Sequence, residues 1–148
     1  MFQMADVGGM NILILEDDFI CRVALQKLLA HYGECHVAAQ GQEAVEAFQL
    51  ALNAGQPYDL VCLDIVMSGL DGHDVLKAMR AAEGKAGIFS GHGTKIIMTT
   101  GLDDMKNVMA AYSELCDGYL YKPITRKNLA NVLLELKLIQ VEAPSVAA

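Results

Sequence analysis

At four points in the chain, side chains able to do chemistry stand directly after an apolar run. Ile12–Leu15 is followed by Glu16, Asp17 and Asp18, and Leu60–Leu63 by Asp64. Lys95–Met98 is followed by Thr99, and the stretch Asp117–Tyr121 by Lys122. Turn chemistry explains any one of these, because Asp and its polar relatives are common where strands end. It explains poorly a carboxylate cluster, a hydroxyl and a lysine delivered together. Carboxylates gathered in one crevice repel, so either some hold protons at raised pKa or a cation neutralises them. Hard oxygen donors without His or Cys favour Mg²⁺ over zinc, and Mg²⁺ keeps waters that a phosphate can replace. A carboxylate not fully committed to the metal can act as a nucleophile. A lysine and a hydroxyl beside it would hold a transferred phosphoryl group, a reaction that needs in-line positioning and charge neutralisation above all.

The elements that must position these groups follow from the hydrophobic period. Ile12–Leu15 and Leu60–Leu63 are continuous apolar runs, as in strands buried on both faces. Cys35–Ala38, Lys95–Met98 and Asp117–Tyr121 complete five predicted strands. Helical spacing predicts a first helix through Phe19, Val23, Leu25, Leu28 and Leu29, with Gly33 as its C-cap. Further helices are predicted over Gln42–Leu52, Asp74–Ala82 and Asp103–Tyr112, and a fifth from an N-capping Thr125 through Leu129, Leu133, Leu136 and Ile139. Strands alternating with helices imply a parallel sheet covered on both faces. The right-handed crossover rule then gives a doubly wound α/β sandwich, whose site lies beyond the C-terminal ends of the strands. Residues 1–9 read as a flexible N-terminal extension, 10–140 as one domain and 141–148 as a flexible tail.

Composition narrows the classes. Of 148 residues, 53% are hydrophobic and 20% charged, enough apolar mass for a full core and too much for a disordered chain. Lys plus Arg number 11 against 18 Asp plus Glu, a net charge of −7, which lacks the footprint of a nucleic-acid binder or of a polybasic lipid anchor. No run approaches the ~20 apolar residues of a membrane span, and no secretory signal is visible. Cys21, Cys35, Cys62 and Cys116 are widely spaced and read as reduced thiols of a cytoplasmic protein.

The stretches ILILEDD (12–18), AQGQEA (39–44), YDLVCLDIVM (58–67), GLDG (69–72), IIMTT (96–100) and DGYLYKPI (117–124) together resemble the receiver domain of bacterial two-component response regulators (CheY-like). The resemblance runs over roughly residues 10–140. It implies a flavodoxin-like five-stranded parallel sheet of order 2-1-3-4-5 with five helices. It implies that Asp64 accepts a phosphoryl group from a phosphohistidine of a sensor histidine kinase or phosphotransfer protein. Asp17, Asp64 and the Val66 carbonyl would bind Mg²⁺ directly, with Glu16 acting through water; Asp18 falls one place later and carries less weight. Thr99 and Lys122 would hold the phosphoryl group, and Tyr119 would turn inward as Thr99 moves. Arg22 supports this register, and Lys122–Pro123 matches a peptide bond that is often cis.

The same resemblance implies a switch that controls a downstream protein target, with catalysis limited to the chain's own phosphorylation and dephosphorylation. A homodimer through the fourth-helix/fifth-helix face follows family habit. With no second domain expected after the last helix, the readings are a stand-alone receiver, a phosphorelay intermediate or a fragment of a larger regulator; a non-phosphorylated interaction module is the further alternative. Ser68 stands where the family usually has Pro, Thr100 where it has a small residue, and Gly84–Gly93 is longer than usual and precedes a strand, away from the site. By local pattern Thr100 rivals Thr99. Tyr119 also reads as simple packing.

Other constellations fall short. His31, Cys35 and His36 fit no common zinc spacing, and His92 reads as a solvated loop residue. GIFSGHGTK (87–95) fails the phosphate-loop spacing and precedes a strand. Glu16, Asp17 and Asp18 would repel the phosphate of a flavin nucleotide. Ile65 and Val66 after Asp64 break the D-x-D pattern of a haloacid-dehalogenase-type phosphatase.

Overall fold

The fold is described from a computed structural model that covers residues 9–65, 72–101 and 115–140. The strands are β1 (Met10–Leu15), β2 (Gly33–Ala38), β3 (Leu60–Asp64), β4 (Lys95–Gly101) and β5 (Gly118–Lys122). Among the described residues the helices are α1 (Phe19–Leu29), α2 (Gly41–Asn53), α3 (Gly72–Lys85) and α4 (Arg126–Glu135). The five strands form one sheet in the order β2-β1-β3-β4-β5, and every pairing is parallel. The predicted order and fold class hold. The helix predicted over Asp103–Tyr112 lies outside the described residues, as do Val66, residues 1–8 of the predicted extension and the tail from residue 141. None of the described helices is long and apolar enough to cross a membrane.

Strand alternation divides the core in two. Leu13, Leu15, Val61, Leu63, Ile96 and Met98 face α2 and α3, packing on Val45, Phe48, Val75, Leu76 and Met79. Ile12, Ile14, Leu60, Cys62, Ile97 and Leu120 face α1 and α4, packing on Leu25, Leu29, Leu129 and Leu133. β3 is buried on both faces along its whole length, which is why its sequence shows no alternation until Asp64.

Local differences from the sequence reading each have a cause. Gly33 opens β2; the C-cap of α1 is Ala30. A Cβ at Gly33 would stand 2.1 Å from the Met10 carbonyl oxygen, so glycine is demanded there by the close approach of β1. Helix α3 runs through Lys85, into the glycine-rich stretch, because buried Glu83 is anchored on Arg80 and on the Thr94 amide. Helix α4 stops at Glu135, although apolar spacing continues to Ile139. There Lys137 adopts φ 61°, its amide bonds the Leu134 carbonyl, and the Leu138 amide bonds that of Leu133. That pair of bonds is a Schellman stop made with lysine instead of glycine. Phe19, predicted on the apolar face of α1, is 66% exposed, with the Arg22 guanidinium 5.5 Å from its ring centroid.

Candidate functional site

Glu16, Asp64, Thr99 and Lys122 stand two residues beyond Ile14, Cys62, Ile97 and Leu120, all members of the core beneath α1 and α4. Because side chains alternate along a strand, the core residue fixes the direction of the site residue. Register completes the arrangement: Asp64 lies opposite Thr99, and Gly101 opposite Lys122. The rival Thr100 shares the parity of Met98, on the other face, and its hydroxyl donates to the Gly101 carbonyl at 3.3 Å.

The groups predicted to act together are together. Carboxylate oxygens of Glu16, Asp17 and Asp64 lie within 4.8 Å of one another. Lys122 Nζ donates to Glu16 Oε1 at 2.7 Å and stands 3.4 Å from Asp64 Oδ2. Glu16, Asp64 and Thr99 are buried. Partial burial of Lys122 disfavours its charge, but its hydrogen bond to Glu16 and the charges of Asp64 and Glu16 outweigh this and raise its pKa above the ordinary value. The ammonium therefore stays charged wherever the carboxylates are.

Local bonds hold the loop after β1. Glu16 Oε2 accepts from the Asp18 amide at 3.2 Å. Arg22 Nη1 donates to the Glu16 carbonyl at 2.9 Å and to the Asp17 carbonyl at 3.5 Å. This clamp is a role the sequence reading did not give Arg22; the signal was a lone cation on the first turns of the helix that follows an acidic turn. Asp18 is the N-cap of α1, accepting from the Cys21 amide at 2.8 Å, and that bond lowers its pKa. The smaller weight given to Asp18 is thereby explained: its carboxylate is spent on the helix.

The donor set suits a hard divalent cation such as Mg²⁺: three carboxylates converge and one ammonium neutralises only part of their charge. Glu16 receives both Lys122 and the Asp18 amide, and Lys122 also stands beside Asp64. The Val66 carbonyl lies outside the described residues. Two further details touch the predicted switch and the strand end. Tyr119 packs half-buried against the core beneath α2 and α3; burial, then its hydrogen bond with Cys116, raises its pKa. The Lys122–Pro123 bond is cis.

Comparison with known proteins agrees with the fold. The sequence profile of the response regulator receiver domain matches residues 12–134, and the chain belongs to that family. Aspartate phosphorylation and Mg²⁺ dependence are general features of the family. The chain is 30% identical over 118 residues to the regulatory protein VanRB of Enterococcus faecalis, covering 80% of this chain and 47% of that protein. It is 27% identical over 128 residues to the two-component response regulator ORR41 of Oryza sativa subsp. japonica, covering 86% of this chain and 94% of that one. The crystal structure of a D1050E mutant of the receiver domain of the Arabidopsis thaliana histidine kinase CKI1 superposes with a TM-score of 0.76 at 25% identity, covering 91% and 93% of the two chains. The chain thus spans about half the length of VanRB and nearly all of ORR41.

Proposed function

We propose that this receiver acts as a phosphorylation switch with Asp64 as the phosphoacceptor. The observation that carries the reading is the placement of Asp64: buried, within 4.8 Å of Glu16 and Asp17, 3.4 Å from Lys122 Nζ and opposite Thr99. An Asp64 carboxylate oxygen attacks the phosphorus of a phosphohistidine on a sensor kinase or phosphotransfer protein. The P–N bond breaks, its electron pair returns to the imidazole, and an acyl phosphate forms on Asp64. Lys122 pairs with a phosphoryl oxygen, and the Thr99 hydroxyl donates to another once it moves toward the adduct. Mg²⁺ bound on Asp17 and Asp64 would supply the remaining charge neutralisation. Hydrolysis of the adduct returns the carboxylate, so the chemistry is confined to the chain itself. Exposed Phe19 and Ile20, on the first turn of α1 beside the site, offer the donor protein an apolar foothold.

In this reading the adduct shifts a two-state equilibrium, and a downstream protein binds the phosphorylated form more tightly. A homodimer through the face of the helix predicted over Asp103–Tyr112 and of α4, and a cytoplasmic location, belong to the same reading. A second reading, a receiver unit of a longer regulator or hybrid kinase, is supported by the 47% span of VanRB and the likeness to the CKI1 receiver. An antibody against this chain, used on native cell extract, separates the two by the size of the band.

Intact mass after incubation with acetyl phosphate tests the central reading. The expected result is one phosphoryl adduct on the wild type, dependent on Mg²⁺ and absent from Asp64→Ala. An adduct that survives in Asp64→Ala overturns the assignment. Mg²⁺ binding that persists in Asp17→Ala overturns the ligand set.

A further inference from the structure

A groove of about 360 Å³ lies between α1 and α4, on the face that carries neither α2 nor α3. Its floor is apolar, with Leu28, Tyr32, Ala130 and buried Leu129. Its rim carries Lys27, His31, Arg126 and Lys127, all exposed, and among the described residues no carboxylate lines it. Three of the 11 Lys and Arg residues of a chain with net charge −7 therefore surround one apolar trough. Among the described residues, Arg80 and Lys122 are tied into ion pairs, whereas Lys27, Arg126 and Lys127 enter none.

The placement of Arg126 and Lys127 runs against helix stability. They occupy the first two positions of α4, after the Thr125 cap, and no acidic residue stands in that turn. Cations at a helix N-terminus oppose the macrodipole and are mildly destabilising. Their charge adds to the positive end of the helix in front of the groove. A local rule broken without gain to the fold points to a binding role. The walls are helices, so no strand edge is offered. An occupant is held by side chains alone, as when an amphipathic helix lies in a groove.

We propose that this groove docks an acidic amphipathic helix of a protein partner, its apolar side chains on Leu28, Tyr32 and Leu129 and its carboxylates on Lys27, Arg126 and Lys127. The negative charge of the rest of the chain repels such a partner, so the groove also sets its orientation. The site is separate from Asp64 and holds whether or not Asp64 is phosphorylated.

The test uses the full chain and a fluorescein-labelled helical peptide with leucines on one face and glutamates on both flanks. Its controls are the same peptide with Gln for Glu and a scrambled peptide of equal charge. Fluorescence anisotropy is expected to give binding at least tenfold tighter for the first peptide than for either control, weakening as salt is added. Lys27→Glu combined with Lys127→Glu is expected to lose at least tenfold, while its phosphoryl adduct with acetyl phosphate forms as in the wild type. Failure of the adduct in both proteins would count against the phosphorylation reading and leave this one standing. No measurable binding, equal binding of the scrambled peptide, or an unchanged affinity in the double variant overturns the proposal. Equal affinity for the scrambled peptide with displacement by inorganic pyrophosphate would mark a small-anion site instead.

Discussion

Lys122 and Glu16, separated by 106 residues in sequence, meet in a 2.7 Å ion pair at the carboxyl edge of the sheet. Glu16 is almost fully buried, and Lys122 reaches on toward Asp64 at 3.4 Å. The lysine thus occupies the negative crevice that a divalent cation would share. Lys122→Met leaves Glu16 and Asp64 buried without that cation. Removing one partner of a buried pair is costly, and the partial exposure of Lys122 reduces the cost to about 2 kcal/mol. For a domain of this size that lowers Tm by about 4–8 °C without Mg²⁺. Added Mg²⁺ is expected to raise the variant's Tm by more than the wild type's, because a competing positive charge is gone, and by little in Asp17→Asn. Thermal melts with and without Mg²⁺ check this; an equal Mg²⁺ increment in all three proteins would sink it.

The site was legible in the sequence because each of its strands announces its own end. An apolar run gives way to a polar residue, and the parity of the last core residue decides which face that residue takes. Thr99 and Thr100 are separated by parity alone, a criterion that needs the position of Ile97 in the core beneath α1 and α4. Contacts between distant segments were not legible. Gly33 answers to the carbonyl of Met10, on another strand. The exposure of Phe19 follows from how α1 is rotated on the sheet, which helical spacing constrains only loosely. The Lys137 stop of α4 was hidden because lysine is a poor sign of a left-handed residue.

Most of the network around Arg80 was equally invisible, since all its partners but Glu83 lie 14 to 37 residues away. Arg80 donates to the Leu115 and Thr94 carbonyls, to Glu83 Oε1 at 2.7 Å and to Asp117 Oδ2 at 2.8 Å. Asp117 in turn accepts from the Ile96 amide, and Glu83 from that of Thr94. These bonds tie the end of α3 to the start of β4 and β5, at the sheet edge opposite Asp64. Arg80→Met keeps the aliphatic stem and strands two carboxylates, a loss of about 3 kcal/mol. Urea unfolding should show a lower midpoint at unchanged slope, while the phosphoryl adduct on Asp64 still forms. A midpoint within error of the wild type would refute a structural role for the network.

The thiols predict an alkaline weakness. Burial pushes Cys62 up to about 12 and Cys35 up to about 11, whereas an unfolded thiol ionises near 8.5. The folded state keeps protons that the unfolded state loses. Their contribution is therefore complete below about pH 8.5 and declines as pH rises through the folded values. Tm should fall between pH 8.5 and 10, and Cys62→Val should flatten that fall. Iodoacetamide at pH 8.5 should leave Cys62 unmodified in the native protein and label all four cysteines in urea. Native labelling of Cys62 at the rate of Cys21 would contradict the packing of β3.

Thr99 and Thr100 make the sharpest contrast, because they are adjacent and both buried. Only Thr99 is registered opposite Asp64, on the face that carries Glu16 and Lys122. In the proposed switch its hydroxyl takes no part in the nucleophilic attack, which would rest on the Asp64 carboxylate and on charge neutralisation. It would instead register that the phosphoryl group has arrived. Thr99→Ala should therefore form the adduct with acetyl phosphate, within a few-fold of the wild-type rate, yet fail to change the environment of Tyr119. Thr100→Ala should show both the adduct and the change. Beryllofluoride added with Mg²⁺ as a stable phosphoryl mimic allows the comparison by NMR of the tyrosine ring resonances. A Tyr119 shift that survives in Thr99→Ala and vanishes in Thr100→Ala would reverse the assignment and place the responding hydroxyl on the opposite face of the sheet.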